Sequence, residues 1–213
     1  MAASTKNQSS SSGGAQPLKI VGIIAAVIVV LLLVAVVAGV FGDEEPGNEY
    51  GEPQVSGQLT PMPFDATVDE TATGETAPTV IGEDFEGNEV RIENDGRAKA
   101  IVLLAHWCSH CQREVPAVQE WLDSGGGVDG VDMYSIATAM NSTQDNYPPS
   151  EWLDREGWTV PVIRDDSNNT VHDAYGAGGF PFWVFVNSDG TVAVRVAGST
   201  PVENIELIMN DLK

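Results

Sequence analysis

The hydrophobic pattern of this chain has two distinct parts. Residues 20–41, IVGIIAAVIVVLLLVAVVAGVF, form an unbroken apolar run of 22 positions without a charged side chain. At about 1.5 Å per residue a helix of that length reaches about 33 Å, enough to cross a hydrocarbon core of about 30 Å. The run therefore predicts a transmembrane helix. A cleaved signal peptide is the competing reading, because Ala38, Gly39 and Gly42 offer small residues for cleavage. Its apolar region should cover only about 7–15 residues, however, so an uncleaved signal anchor is expected.

Beyond residue 76, short apolar runs alternate with helical spacing. Ile101-Val102-Leu103-Leu104 and Phe182-Trp183-Val184-Phe185-Val186 have the unbroken character of strands covered on both faces. Val192, Val194 and Val196 instead alternate with Ala193 and Arg195, as in a half-exposed strand. Asn187-Ser188-Asp189-Gly190 predicts a hairpin turn between these last two, and a further strand is expected near residues 132–138. In CSHCQREVPAVQEWLD, starting at Cys108, Val115, Val118 and Leu122 share a helical face, as do Val202, Ile205, Ile208 and Leu212 near the C-terminus. Thr200-Pro201-Val202-Glu203 matches a capping box with proline at the first helical position. Shorter helices are expected over residues 149–155 and 170–175. The whole predicts an α/β fold with helices packed on a central sheet.

Charge changes the picture along the chain. Lys6 and Lys19 precede the apolar run, Asp43, Glu44 and Glu45 follow it, and no Lys or Arg recurs before Arg91. The positive flank stays inside, so residues 1–19 are expected as a disordered cytoplasmic tail and everything after the run as extracytoplasmic. Residues 42–76 hold nine acidic and no basic side chains together with Pro46, Pro53, Pro61 and Pro63, the composition of a flexible acidic stalk. Residues 77–213 have the size of one domain. With 10 Lys+Arg against 31 Asp+Glu, a net charge of -21, the chain lacks the basic excess that nucleic acid requires. The acidity reads more simply as solubility or salt adaptation than as a site for a cationic partner.

The candidate chemistry lies in two cysteines, too few for a disulfide scaffold or an all-cysteine zinc site. Trp107-Cys108-Ser109-His110-Cys111 follows a predicted buried strand and opens a predicted helix. There the sulfur of Cys108 faces unpaired backbone N–H groups and the positive end of the helix dipole, which favour thiolate. Cys108 is the expected nucleophile and Cys111 its shielded partner. His110 beside Cys108 would stabilise the thiolate and make the disulfide a stronger oxidant, unless it is an exposed histidine without that contact. Copper or zinc binding by the cysteines with His106 or His110 stays open, although neighbouring positions on one turn do not converge on a tetrahedral centre. His172 is expected to be structural or on the surface, and Trp121, Trp152 and Trp158 to pack. Pro181 by itself is a strand-start proline.

Taken with these motifs, residues 77–213 resemble thioredoxin-fold domains, most closely the membrane-tethered TlpA/ResA-like thiol-disulfide oxidoreductases. The matching residues are the buried run 100–105, Trp107 and the CxxC, Pro116 five residues after Cys111, and Gly179-Phe180-Pro181 before the strand that starts at Phe182. The roughly 40 residues between Met140 and Gly179 fit that branch's inserted helix and strand, here residues 150–155 and 160–163, and are too few for the all-helical insertion of DsbA. The resemblance implies a thioredoxin-like fold and a redox-active Cys108–Cys111 disulfide in place of any external cofactor or metal. It also implies a cis Pro181 beside the disulfide, with Trp107, Phe180 and Pro181 contacting an extended substrate. Two positions depart from the pattern. Val102 stands where many members bury an acid six residues before the first cysteine, leaving proton transfer to water, His106 or another group. His110 stands where TlpA/ResA-like proteins mostly have proline and DsbA-like proteins have histidine. The expected function is a membrane-anchored, extracytoplasmic exchanger of disulfides with protein thiols, served by a membrane redox partner and leaning to disulfide donation. Reduction of particular targets such as apocytochromes is the alternative within the family, and a copper or zinc chaperone the alternative outside it.

Overall fold

A computed structural model describes residues 49–213. The expected tail, the apolar run 20–41 and the first residues of the expected stalk lie outside the described residues. Among the described residues no helix is long and apolar enough to cross a membrane.

The chain runs through β1 (Gln54–Ser56), β2 (Val68–Asp69), β3 (Thr79–Glu83), β4 (Glu89–Ile92), β5 (Ala98–Leu104), α1 (Cys111–Asp123) and β6 (Val131–Ala137). It continues through α2 (Pro149–Arg155), β7 (Val162–Arg164), α3 (Thr170–Tyr175), β8 (Phe182–Val186), β9 (Val192–Ala197) and α4 (Val202–Asp211). A six-stranded mixed sheet has the order β2-β9-β8-β5-β6-β7, and β1-β3-β4 form a separate antiparallel sheet. Strands β5, β6 and β7 are mutually parallel, while β8 runs antiparallel to β5 and β9 antiparallel to β8. This is the thioredoxin-like α/β arrangement, a central mixed sheet with helices on its faces.

The unbroken apolar runs are central because both their faces are covered. On β5, Ile101 and Leu103 join Val184 and Val186 of β8 in one core with Tyr175 of α3. Ala100, Val102 and Leu104 face the other way, with Trp183, Phe185, Cys111, Val115 and Val118 and with Ile205 and Met209 of α4. That second core carries α1, and with it the cysteines, on the end of β5.

Two expected element starts shift. Helix α1 begins at Cys111 and not at Cys108, with His110 at its N-cap, so Cys108 sits in the turn before it. The capping box does not form. Pro201 is the N-cap of α4, without a side-chain cap, because the Thr200 amide is drawn instead to Glu114.

Much of the acidic stretch expected as a flexible stalk is folded onto the domain. Leu59, Met62 and Ala72 are buried in the main core, β1 pairs with β3, and β2 pairs with β9. The Leu59 and Met62 amides donate to the carbonyls of Ala174 and Gly176. Gly176 caps α3 in the left-handed region at φ 64°, and a Cβ there would lie 2.9 Å from the Thr60 carbonyl oxygen. A buried ion pair fastens this segment: Arg195 of β9 holds Asp69 of β2 and also donates to the carbonyls of Thr60 and Tyr175. Burial works against the Asp69 carboxylate, yet hydrogen bonds from Thr71 and Arg195 hold its pKa below the ordinary value. Proline and acid content indicated a flexible chain, but a few buried apolar positions and this pair decide otherwise.

Candidate active site

The turn after β5 aims Cys108 at the start of α1. Its amide donates to the Ala105 carbonyl at 3.0 Å, and its carbonyl accepts from Gln112 at 3.0 Å. Gln112 Nε2 donates to the His106 carbonyl at 2.9 Å, so the turn is braced from both sides. Cys108 is partly exposed, whereas Cys111 is fully buried, and both are free thiols in this structure.

The two sulfurs differ strongly in acidity. The Cys111 thiol donates to Cys108, and the amides of Cys111 and His110 add to it, pulling the Cys108 pKa down to about 5. Burial pushes Cys111 far the other way, reinforced by its role as donor to Cys108. The amides of His110 and Cys111 at the start of α1 do act on Cys108, but the larger lowering comes from the Cys111 thiol.

Phe180 and Pro181 form the opposite wall. The Phe180–Pro181 peptide is cis, Pro181 is buried, and the Phe180 carbonyl oxygen lies 3.5 Å from Cys108 Sγ. Trp107, 39% exposed, sets its ring edge-on to Phe180 at 6.0 Å and donates from Nε1 to the Ala139 carbonyl at 2.7 Å. Trp107 also lines a groove with Ala139, Met140, Asn141, Gln144 and Asn169. All five expected site residues around Cys108 are therefore brought together. His172, expected as structural, packs its ring on Phe180 at 5.5 Å and meets Asp173 at 2.9 Å.

His106 is not free to serve the cysteines. It is buried, its Nε2 accepts from the Asn141 amide at 3.1 Å, and its Nδ1 then donates to the Asp145 carbonyl at 2.7 Å. Burial lowers its pKa. Both nitrogens hold the loop over residues 139–148, so His106 is a clamp and not the proton acceptor. No group of three or more His, Cys, Asp or Glu side chains able to hold a metal occurs among the described residues.

Glu114 was not anticipated. It is buried on α1, three residues after Cys111, and accepts from Trp183 Nε1 and the Thr200 amide, each at 2.6 Å. Burial raises its pKa, and a thiolate at Cys108 raises it further. In the other direction its charge adds to the rise at Cys111. A buried acid thus lies on the helix and not at Val102 on the strand, held by Trp183, the residue paired with Val102 across β5 and β8. The signal was in the spacing: position i+3 from Cys111 falls on the same helical face, beside Val115 and Val118.

Known proteins share this fold and part of this sequence. The chain is 29% identical over 144 residues to thiol-disulfide oxidoreductase ResA of Geobacillus thermodenitrificans, covering 67% of this chain and 79% of that protein. For the protein of the same name from Oceanobacillus iheyensis the identity is 26%, covering 65% and 72%. The fold matches that of a DsbF homologue from Corynebacterium diphtheriae, with a TM-score of 0.57 and 16% identity over 74% of this chain and all of that one (100%). It also matches a putative thiol:disulfide interchange protein DsbE from Chlorobium tepidum, with a TM-score of 0.52 and 18% identity over 65% of this chain and 95% of that one. The AhpC/TSA family model matches residues 73–195, which include both cysteines, Glu114 and Pro181. With more than half of its length matched, the chain belongs to the AhpC/TSA family, in its thioredoxin-fold form.

Proposed function

We propose that this protein is a thiol-disulfide oxidoreductase of the ResA/DsbE type that exchanges the Cys108–Cys111 disulfide with cysteines of other proteins. The observation that carries this is the asymmetry of the pair: an accessible sulfur with a pKa of about 5 next to a buried one whose pKa is raised. In the donating direction a substrate thiolate attacks Cys108 Sγ, the Cys108–Cys111 bond breaks, and Cys111 leaves as a thiolate that takes up a proton. A second substrate thiolate then attacks the substrate sulfur of the mixed disulfide, forming the substrate disulfide and releasing Cys108 as a thiolate. In the reducing direction Cys108 attacks first, and Cys111 must lose its proton to resolve the mixed disulfide. Glu114, whose charge acts on Cys111, is the buried acid that holds this proton. Trp107, Phe180 and Pro181 receive the extended substrate chain.

Donation is the favoured direction, because stabilising the Cys108 thiolate stabilises the reduced form and so strengthens the oxidant. The uncharged run 20–41, with lysines before it and acids after it, supports a single-pass signal anchor with the N-terminus cytoplasmic. The domain then acts outside the cytoplasm on protein thiols, with its redox state renewed by a membrane partner. Equilibration of the full chain with glutathione buffers tests the direction. A reduction potential of about -120 to -180 mV supports donation, and one near -270 mV or below supports reduction of selected targets such as apocytochromes. Exchange that persists in Cys108→Ser would overturn the assignment of the nucleophile.

A further inference from the structure

The wall that faces Cys108 is carried by a loop with little conformational preference of its own. Between α3 and β8 the chain reads Gly176-Ala177-Gly178-Gly179-Phe180-Pro181, with three glycines in four positions. Glycine has more backbone freedom to lose on ordering than any other residue. The Phe180 ring is braced by His172 at 5.5 Å and by Trp107 at 6.0 Å. The loop backbone is held from elsewhere, by residues 59–62, which the chain passes through before it reaches β2. The Leu59 and Met62 amides donate to the Ala174 and Gly176 carbonyls at 2.8 and 2.9 Å, and Arg195 Nη1 donates to the carbonyls of both Thr60 and Tyr175. A Cβ at Gly176 would lie 3.0 Å from the Pro61 Cα, so the two backbones touch. The Met62 side chain then covers Gly178, where a Cβ would meet its Cβ, Cγ and Sδ at 3.4, 3.4 and 3.5 Å. Met62 is buried, and Ala177 and Phe180 pack against the same cluster.

We propose that Met62 is a positioning residue for polypeptide substrates: seated against Gly178, it holds the glycine loop in the conformation that presents the Phe180 backbone beside Cys108. The segment that enters the domain is thereby a working part of the substrate wall. The inference rests on the oxidoreductase reading and deepens it, because it separates two classes of thiol at the same sulfur. A polypeptide must lie along Phe180 and Pro181 to react, whereas a small thiol needs only the accessible face of Cys108. The loop that Met62 covers leads directly into Phe180, whose carbonyl oxygen lies 3.5 Å from Cys108 Sγ. The groups that set the Cys108 thiolate are the Cys111 thiol and the amides of His110 and Cys111, which belong to the turn and to α1. Loosening the glycine loop leaves those groups in place. It therefore costs orientation of a bound chain and spares the nucleophile.

The test follows reduction of the oxidised full chain by an extended peptide carrying two cysteines and, separately, by dithiothreitol. It compares the wild type with Met62→Leu, Met62→Val and Met62→Ala, and with Met209→Ala, which removes the same side chain from the other core. Met62→Ala should slow the second-order reaction with the peptide by about five- to tenfold, the penalty of ordering about one loop residue anew at each encounter. Its reaction with dithiothreitol should stay at the wild-type rate. Met62→Leu, which keeps the volume, should restore the peptide rate, and Met62→Val should fall between. Met209→Ala should leave the ratio of the two rates unchanged. If Met62→Ala does not fold, the same ratio in Met62→Val decides. Equal losses with both thiols, or no loss with either, would overturn the proposal, and so would Met209→Ala losing the peptide rate alone by as much. In those cases wild-type exchange remains intact, whereas a wild type that reacts with neither thiol would overturn the function and the proposal together.

Discussion

Replacing Glu114 by Gln separates two physical accounts of the buried acid. Its two oxygens each accept one hydrogen bond at 2.6 Å, from Trp183 Nε1 and from the Thr200 amide. Glutamine brings a single oxygen, so its NH2 group must face one of these two donors. The cost is one lost hydrogen bond and one unpaired buried donor, about 1–3 kcal/mol. For a folded unit of this size that lowers Tm by roughly 2–4 °C for each kcal/mol. The pH course is the sharper test. Burial raises the folded pKa of Glu114 above the ordinary glutamate value of about 4.3. The stability linked to such a carboxyl is fully present below the unfolded pKa and is lost as pH rises through the folded one. Glutamine does not titrate, so the variant's deficit should be largest near pH 4 and should narrow toward pH 8. Urea unfolding at fixed pH, with the dithiol kept reduced, measures it. Repeating the series with the disulfide formed should give less narrowing, because the Cys108 thiolate contributes to the rise at Glu114. A deficit that widens with pH would refute the reasoning, since the two donors would then outweigh burial and hold the carboxylate ionised.

Three further outcomes follow from the same geometry. Arg195→Met leaves Asp69 buried without its partner and should cost about 3–5 kcal/mol in urea unfolding, and a loss under 1 kcal/mol would mean that water reaches the pair. A fragment that begins at Ala77 loses Leu59 and Met62 from the core, on the order of 3–6 kcal/mol of apolar burial, together with β1 and β2. Next to a fragment that begins at Glu49 it should unfold at clearly lower urea, and equal midpoints would restore the view of a free stalk. Iodoacetamide trapping of the reduced chain should give a Cys108 titration midpoint at about pH 5, against about 8.5 for a free cysteine, and a midpoint above about 7.5 would contradict the amide and thiol donors at its sulfur.

The sequence was most legible where burial is two-sided and continuous. The runs at Ile101 and Phe182 became neighbouring central strands, and the alternation from Val192 became the strand beside them. The CxxC and Phe180-Pro181 were legible through their setting, and the structure brings them into contact. Residues 49–76 were not, because composition averages over a segment while folding here depends on single positions such as Leu59, Met62 and Asp69. The resemblance places a buried acid on the strand, at the position of Val102. Helical spacing from Cys111 leads to Glu114, but a charged residue on an apolar face is legible only when its donors are known, and these come from Trp183 and Thr200, far along the chain. His106 reads as a proton carrier until the loop that occupies both its nitrogens is seen.

The loop that His106 holds has one more effect. Trp107 and Asn169 bond to Ala139, Tyr50 to Met140, His106 to Asn141 and Asp145, and Arg155 to Asn146. One wall of the groove at Trp107 is thus already ordered before any target arrives. The conformational entropy surrendered in the encounter is then mostly the target's, about 1–2 kcal/mol for each backbone residue it must straighten. A cysteine on a segment that is already extended escapes much of that loss, while one in a loose coil bears it in full. Such a groove discriminates by the prior shape of what it meets as well as by side-chain chemistry, so the state of folding of a target becomes part of its recognition.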